Sequence, residues 1–337
     1  MGRKVRRWRM GPAIAMVLPY IVWAGWRSNV GDTYAYRVSF RNMPAAISEW
    51  GTYLDSQSKD VGFSALSLII KWFVGESDKW YFLILAAIQI VCLVVILRKY
   101  SCNYWMSIFI FIATADYISW NFNGIRQFTA VMMIYAVTDW ILEKKYLRVI
   151  LVILLASTIH GSALLMIPVI FIVQGKPWNK TMLVCLVASL FVLAYVDRFT
   201  NVLDSMLSDT QYTNVVSDWQ KFGDDGMNPL RVLIYSVPAI ISLMGVKYIK
   251  AVNDPVINFS VNTSIVTAAI AIVAMGTSGI FIGRLPIYVN IYANCILLPW
   301  EIENMFADRI ARIVKFGAMF CYLVFFYYQM HFAWGFI

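Results

Sequence analysis

Residues 121–130 read Asn-Phe-Asn-Gly-Ile-Arg-Gln-Phe-Thr-Ala and lie between two apolar runs, each long enough to enter a bilayer. A guanidinium at such a boundary costs several kcal/mol unless it is paired or used. Arg126 is therefore the first candidate for a functional side chain, with Asn123 and Gln127 as polar neighbours. Three other apolar stretches are interrupted by residues of similar promise: Asp32 behind Gly31, His160 ahead of Gly161, and Arg284 behind Gly283. One carboxylate, two guanidiniums and one imidazole suit the handling of an anionic, phosphorylated substrate. Arginine presents a planar fork that matches phosphate oxygens and stays charged at any working pH. Two arginines could hold a pyrophosphate, and either Asp32 or His160 could take a proton from an acceptor hydroxyl. Aromatic residues near Asp32 (Tyr34, Tyr36, Phe40, Trp50, Tyr53) could stack on sugar rings or form an interfacial belt.

Each assignment has a plainer rival. Arg126 could snorkel from a helix end, His160 could be a hydrogen-bonded structural histidine, and Asp32 could belong to a simple turn. Asp60, just before Val-Gly-Phe, is read as a helix cap rather than a catalyst. The aspartates of 197–229 are read as a solvated face. There is no G-x-x-x-x-G-K-[ST], H-E-x-x-H or G-x-S-x-G, which disfavours ATP-driven transport, a zinc protease of that type and an ordinary serine hydrolase. The five cysteines form no C-x-x-C pair and give neither a disulfide framework nor a zinc site. No cofactor or metal is called for, since two arginines can supply the positive charge.

The elements that must position these groups are membrane helices. Of the 337 residues, 60% are hydrophobic and 14% charged, more apolar surface than one soluble globule can hide. The net charge of +9 is explained by cationic cytoplasmic loops, so no nucleic-acid partner is inferred. The basic N-terminus is read as the cytoplasmic start of a retained first helix, not a cleaved signal peptide. The fold class is all-α polytopic, with about eleven transmembrane helices and one interfacial or re-entrant helix. The expected spans are 11–26, 80–97, 104–119, 124–142, 147–159, 161–174, 181–196, 230–249, 259–280, 285–300 and 313–331, within a single membrane domain. Residues 27–60 are the first outer loop, 61–75 the interfacial helix and 197–229 the second outer loop. The run 62–74 is short and carries Lys71. Leaving it out of the spans puts Arg98, Lys99, Lys144, Lys145, Lys176, Lys247 and Arg312 on the cytoplasmic side. Ser157, Thr158, His160 and Gly161 predict a break between the fifth and sixth spans, tolerated in lipid only where it is buried or faces water.

On these residues the chain resembles the EpsG family of exopolysaccharide and O-antigen polymerases, the Wzy type. The resemblance rests on Arg27-x-x-x-Gly31-Asp32-x-Tyr34-x-Tyr36, Asp60-x-Gly62-Phe63, Ile125-Arg126-Gln127-x-x-Ala130 and His160-x-Ser162-Ala163-Leu164, with Arg284-Leu285-x-x-Tyr288 as a weaker late match. Asp60 departs from the glutamate expected at the head of the Gly-Phe segment. The resemblance implies a glycosyltransferase that moves a glycan from undecaprenyl pyrophosphate to the terminal sugar hydroxyl of another lipid-linked repeat unit. This would take place in the bilayer of the bacterial inner membrane, at its outer (periplasmic) face. It assigns Asp32 or His160 to catalysis, Arg126, Arg284 and Arg27 to the pyrophosphate, and Gln127, Asn123, Tyr36 and Tyr288 to support. A first outer loop followed by a membrane-surface helix is also similar to C-type glycosyltransferases, which place an aspartate there. Whether a chain-length regulator acts with it stays open. The rivals are a flippase or transporter of the same lipid-linked oligosaccharide, which would usually show two related halves, and a membrane O-acyltransferase with His160 as base. The topology predicts that a Ser77→Cys variant is labelled by a membrane-impermeant maleimide from the periplasmic side; cytoplasmic labelling would reverse every later loop.

Overall fold

The computed structural model describes residues 8–114, 116–206, 226–333 and 335, and among them every regular element is a helix. The chain divides into two compact units, one built on Val5–Pro168 with Lys315–Ile337, the other on Val169–Val314. Among the described residues three helices are long and apolar enough to cross a bilayer: Asp78–Tyr100, Pro255–Gly276 and the rod Asp308–Phe332. A fourth crossing is possible if the bent pair Pro229–Met244 and Val246–Val252 counts as one span. Several other apolar helices are shorter than a straight crossing.

The first unit opens with Met10–Gly25 (α1), which packs along Asp78–Tyr100 (α5). At 23 residues α5 is about 34 Å long. It buries Tyr81, Phe82, Leu85, Ala86, Gln89, Ile90, Leu93, Val94 and Leu97, recurring at helical spacing against neighbours on more than one side. At Gly25 α1 lies directly against α5, since a Cβ there would lie 2.8 Å from the Cβ of Leu83. Between them, residues 27–60 are not the open loop expected. They hold Thr33–Asn42 (α2), a 3₁₀ turn at Ile47–Glu49 and Trp50–Asp55 (α3). The charges suggested a loop because α2 buries only Thr33 and Phe40, too short a stripe to stand out in the sequence.

Val61–Val74 (α4) forms as expected over 61–75. Lys71, which made this run look too charged for a comfortable membrane span, is 3% exposed, and its ammonium donates to the carbonyls of Phe40 (3.1 Å), Arg41 (2.9 Å) and Met43 (2.7 Å). Those carbonyls end α2, where a helix has no partners of its own and where its dipole favours a cation. Phe40 also stacks on Tyr81 of α5, with ring centroids 4.2 Å apart. Lys71 thereby seats α2 on α4 and α5.

The expected span 104–119 is two helices, Tyr104–Ala113 (α6) and Asp116–Phe122 (α7). The expected 124–142 is likewise Ile125–Ala136 (α8) and Thr138–Leu142 (α9), parted at Val137. Tyr146–Ile159 (α10) packs on α8 and α4. The break predicted at His160 is present, with extended backbone there, a 3₁₀ turn over Gly161–Leu165 and then Met166–Ile172 (α11).

In the second unit, Lys180–Ala194 (α12) and Pro229–Met244 (α14) flank Pro255–Gly276 (α16). Val196–Met206 (α13) occupies the start of the expected loop 197–229, a correction to that reading, while residues 207–225 lie outside the described residues. Val246–Val252 (α15) follows α14 after a 74° bend at Gly245, so the expected span 230–249 is not straight. The expected 285–300 is a composite rod of Ile287–Ile291 (α17), a π-wound segment Tyr292–Leu297 and Leu298–Asn304 (α18). Of the apolar window of α16, 83% is buried, against 6% for that of Asp308–Phe332, which contains Asp308–Tyr328 (α19); α16 is core and α19 presents its apolar side chains outward.

Replacing Lys71 with methionine should cost about 2–3 kcal/mol, because three buried carbonyls lose their donor. Thermal unfolding of the purified protein checks this, with Glu76→Gln as control. Glu76 meets Lys71 at 2.9 Å but is 67% exposed, so its loss should matter little.

Candidate active site

The site in the first unit is assembled where α7 gives way to α8. Gly31 precedes α2 with φ +54°, a conformation that favours glycine, and its missing Cβ leaves room for the side chain of Asn123, which lies directly against it. Asn123 Oδ1 then accepts the backbone N–H of Asp32 at 2.9 Å. This fixes Asp32 at the start of α2 while its carboxylate stays exposed, without a hydrogen-bond or ion-pair partner among the described residues. One turn along α2, the Tyr36 hydroxyl donates to the Asn123 carbonyl (3.3 Å) and accepts from Arg126 Nε (3.3 Å). The guanidinium lies 5.5 Å from the Tyr36 ring centroid, and Tyr36 packs edge-on against Phe63 at 6.1 Å.

Arg126 also donates through its first terminal nitrogen to Asp60 Oδ2 at 2.7 Å. Its second terminal nitrogen has no partner among the described residues, and the side chain is 36% exposed. The Asp60 contact corrects the cap reading. Asp60 sits at φ +53° and makes no side-chain bond to the first turn of α4, so its carboxylate is free to turn toward Arg126. Aspartate tolerates that left-handed geometry better than most residues. Arg126 is accordingly a paired, partly exposed cation rather than a snorkelling one.

His160 lies in the break after α10, its Nδ1 2.8 Å from Ser162 Oγ. The end of α10 is brought to the start of α4 by Gly62, where a Cβ would lie 2.9 Å from the Cβ of Thr158. Asp60 and His160 thus each stand two residues from the same crossing point.

Other predicted residues are placed differently. Arg27 is 5% exposed, sandwiched with its guanidinium carbon 4.5 Å from the ring centroids of both Phe82 and Phe122. Its Nε donates to the Ala24 carbonyl at 2.6 Å and one terminal nitrogen to the Asn121 carbonyl. Burial lowers this guanidinium to about 10, which still leaves it cationic at neutral pH. Gln127 is buried on α8. Arg284 and Tyr288 belong to the second unit: Arg284 ends the 3₁₀ turn Ile282–Arg284, half-buried and without a side-chain partner among the described residues, and Tyr288 is buried on α17.

Sequence reasoning missed the buried amide chain beneath this site. Tyr20 donates to Asn121 Oδ1 (2.6 Å), Asn121 Nδ2 to Gln89 Oε1 (2.6 Å), and Gln89 Nε2 to the Ile125 carbonyl (3.1 Å) and Thr129 Oγ1 (2.9 Å). The available signal was Gln89 itself, a polar residue in the middle of the apolar run of α5.

The sequence matches the model of the EpsG family over residues 12–335, nearly its whole length and both units. The chain belongs to the EpsG family. No curated protein and no solved structure matches it. Membership gives this EpsG-family chain a polysaccharide-polymerase type of activity in general. Together with the long apolar helices, it makes the protein an enzyme of the membrane acting on lipid-linked oligosaccharide.

The pairing of Asp60 with Arg126 should appear as a coupling of about 1 kcal/mol in a double-mutant cycle of Asp60→Asn and Arg126→Gln followed by thermal unfolding. Additive single effects would mean that the two side chains act independently.

Proposed function

We propose that this EpsG-family enzyme transfers a growing glycan from undecaprenyl pyrophosphate to the terminal sugar hydroxyl of a second lipid-linked repeat unit. The observation that carries the reading is the state of Arg126, held on two sides by Tyr36 and Asp60 yet partly exposed with one terminal nitrogen uncommitted. Such a guanidinium is oriented before its anion arrives, and reorientation costs little at the moment of charge transfer. Asp60 keeps it in place without using its whole fork.

Asp32 is the first candidate for the base. Its backbone is fixed by Asn123 and its carboxylate is exposed and uncommitted, so an acceptor hydroxyl could approach it. His160 is the second, with Ser162 orienting its ring. Arg126 holds the pyrophosphate and carries the charge of the leaving group, and Arg284, in the second unit, is a separate candidate for binding the donor's phosphate. Arg27, spent on two backbone carbonyls, contributes by fixing the junction that presents Asn123 and Arg126. Asn123 and Tyr36 support the site directly, and Gln127 and Tyr288, buried on α8 and α17, are the remaining supporting residues. The reaction would take place at the outer face of the inner membrane, with the shorter helices completing about eleven crossings. A chain-length regulator is compatible with this scheme and is not required by it.

The test uses full-length protein in nanodiscs with lipid-linked repeat units, reading glycan length on a gel and donor binding separately. Wild type should give a ladder. Either Asp32→Asn or His160→Ala should lower the rate by about 10²–10⁴-fold with binding retained, which identifies the base. Arg126→Ala and Arg284→Ala should weaken donor binding as well as turnover. A wild-type protein that binds donor through the arginines but makes no polymer would replace polymerisation with transport.

A further inference from the structure

The second unit buries a carboxylate that the proposed polymerisation does not use. Glu301, on α18, is fully buried, and neither of its oxygens has a hydrogen-bond partner among the described residues. It heads a row of similarly stranded groups on the same rod. Asn294 lies two turns earlier with both side-chain polar atoms unpartnered, and Asn290 one turn before that with its oxygen unpartnered. The neighbouring α16, whose Phe259 packs edge-on against Tyr292 of the rod at 4.9 Å, shows the same pattern. Asn262 donates its nitrogen to the Val173 carbonyl (3.0 Å) and Asn258 donates to Asn253 Oδ1 (2.9 Å), while both carboxamide oxygens are left over.

The imbalance has a direction. Most of the stranded atoms are oxygen acceptors, so what this region lacks is a positive or donating partner. Water could satisfy the amides, but an acid cut off from solvent must either keep its proton or have its charge compensated. The unpartnered acceptors are carboxylate and carboxamide oxygens, the kind that hard cations prefer. One carboxylate supplies one negative charge, and among the described residues no three acidic, histidine or cysteine side chains group as ligands for a more highly charged metal. The π-winding of Tyr292–Leu297 widens the turn that carries Asn294, a distortion often kept at functional sites. We propose that Glu301 holds a monovalent cation, sodium or potassium, in the second unit, and that the carboxamide oxygens of Asn294, Asn290 and Asn262 line its approach. The ion neutralises the carboxylate and locks the rod against α16, so the fold of this unit is coupled to the ionic composition of its surroundings.

The experiment follows thermal unfolding of the full-length protein in nanodiscs as N-methylglucamine chloride is replaced by sodium or potassium chloride at constant ionic strength. Wild type should show a saturable rise of about 3 °C with at least one of the two ions. Glu301→Gln should abolish the rise, and Asn294→Ala should shift its midpoint to about tenfold higher concentration. Binding of radiolabelled sodium or of the potassium analogue rubidium to wild type gives the same answer without a variant, should Glu301→Gln fail to fold. The proposal is overturned if wild type binds neither ion saturably, or if Glu301→Gln is stabilised as much as wild type. In either case the carboxyl carries a proton instead.

Discussion

A helix that stops inside an apolar protein strands its last carbonyls and the next helix's first amides, and the junction from α7 to α8 is such a place. The carbonyl of Asn121 is taken by Arg27 and that of Asn123 by Tyr36, while the Asn121 side chain bridges Tyr20 and Gln89. These partners come from α1 and the residues after it, from α2 and from α5. Satisfying one break therefore requires three separate stretches of the first unit to be in register. The same register sets where Arg126 and Asp32 stand, because Arg126 opens the helix that follows the break and Asp32 is bonded to Asn123 within it. Site geometry and backbone satisfaction are here one constraint.

The cations divide by whether they reach solvent: Lys71 and Arg27 are buried, Arg126 and Arg284 are not. Lys71 gives its ammonium to three carbonyls at the end of α2, and Arg27 is committed to two more. Arg126 is held by a phenol and a carboxylate and keeps one nitrogen in reserve, and Arg284 keeps its side chain uncommitted among the described residues. An apolar interior makes the first pair into structural fasteners and leaves the second pair able to meet an anion.

The apolar runs were legible because burial in lipid or in a helix core demands them over long stretches, and the helices at 10–25, 61–74, 78–100 and 255–276 stand close to where hydropathy put them. The break at His160 was legible from its cluster of small and polar residues. Residues 27–60 were misread because α2 hides only two side chains, and a charge-rich decapeptide with so narrow a stripe looks like loop. The role of Asp60 depended on a backbone angle, and that of Lys71 on carbonyls about thirty positions away, neither of which has a signature in residue type. Asp32, Asn123 and Arg126 could be listed from the sequence as neighbours in function. That Tyr36 joins Arg126 to Asn123 is a fact of how α2 lies.

Gly62 brings α4 so close to α10 that the Thr158 side chain rests on its bare backbone. Helices in such contact cannot slide independently, because only one short side chain lies between them to absorb the shear. A displacement of the head of α4, where Asp60 meets Arg126, is passed to the last turn of α10 and the extended residue beyond it. The carboxylate that steadies the guanidinium and the imidazole in the break thus behave as two points on one lever. A shift at one of these points is in this way felt at the other without any direct contact between them.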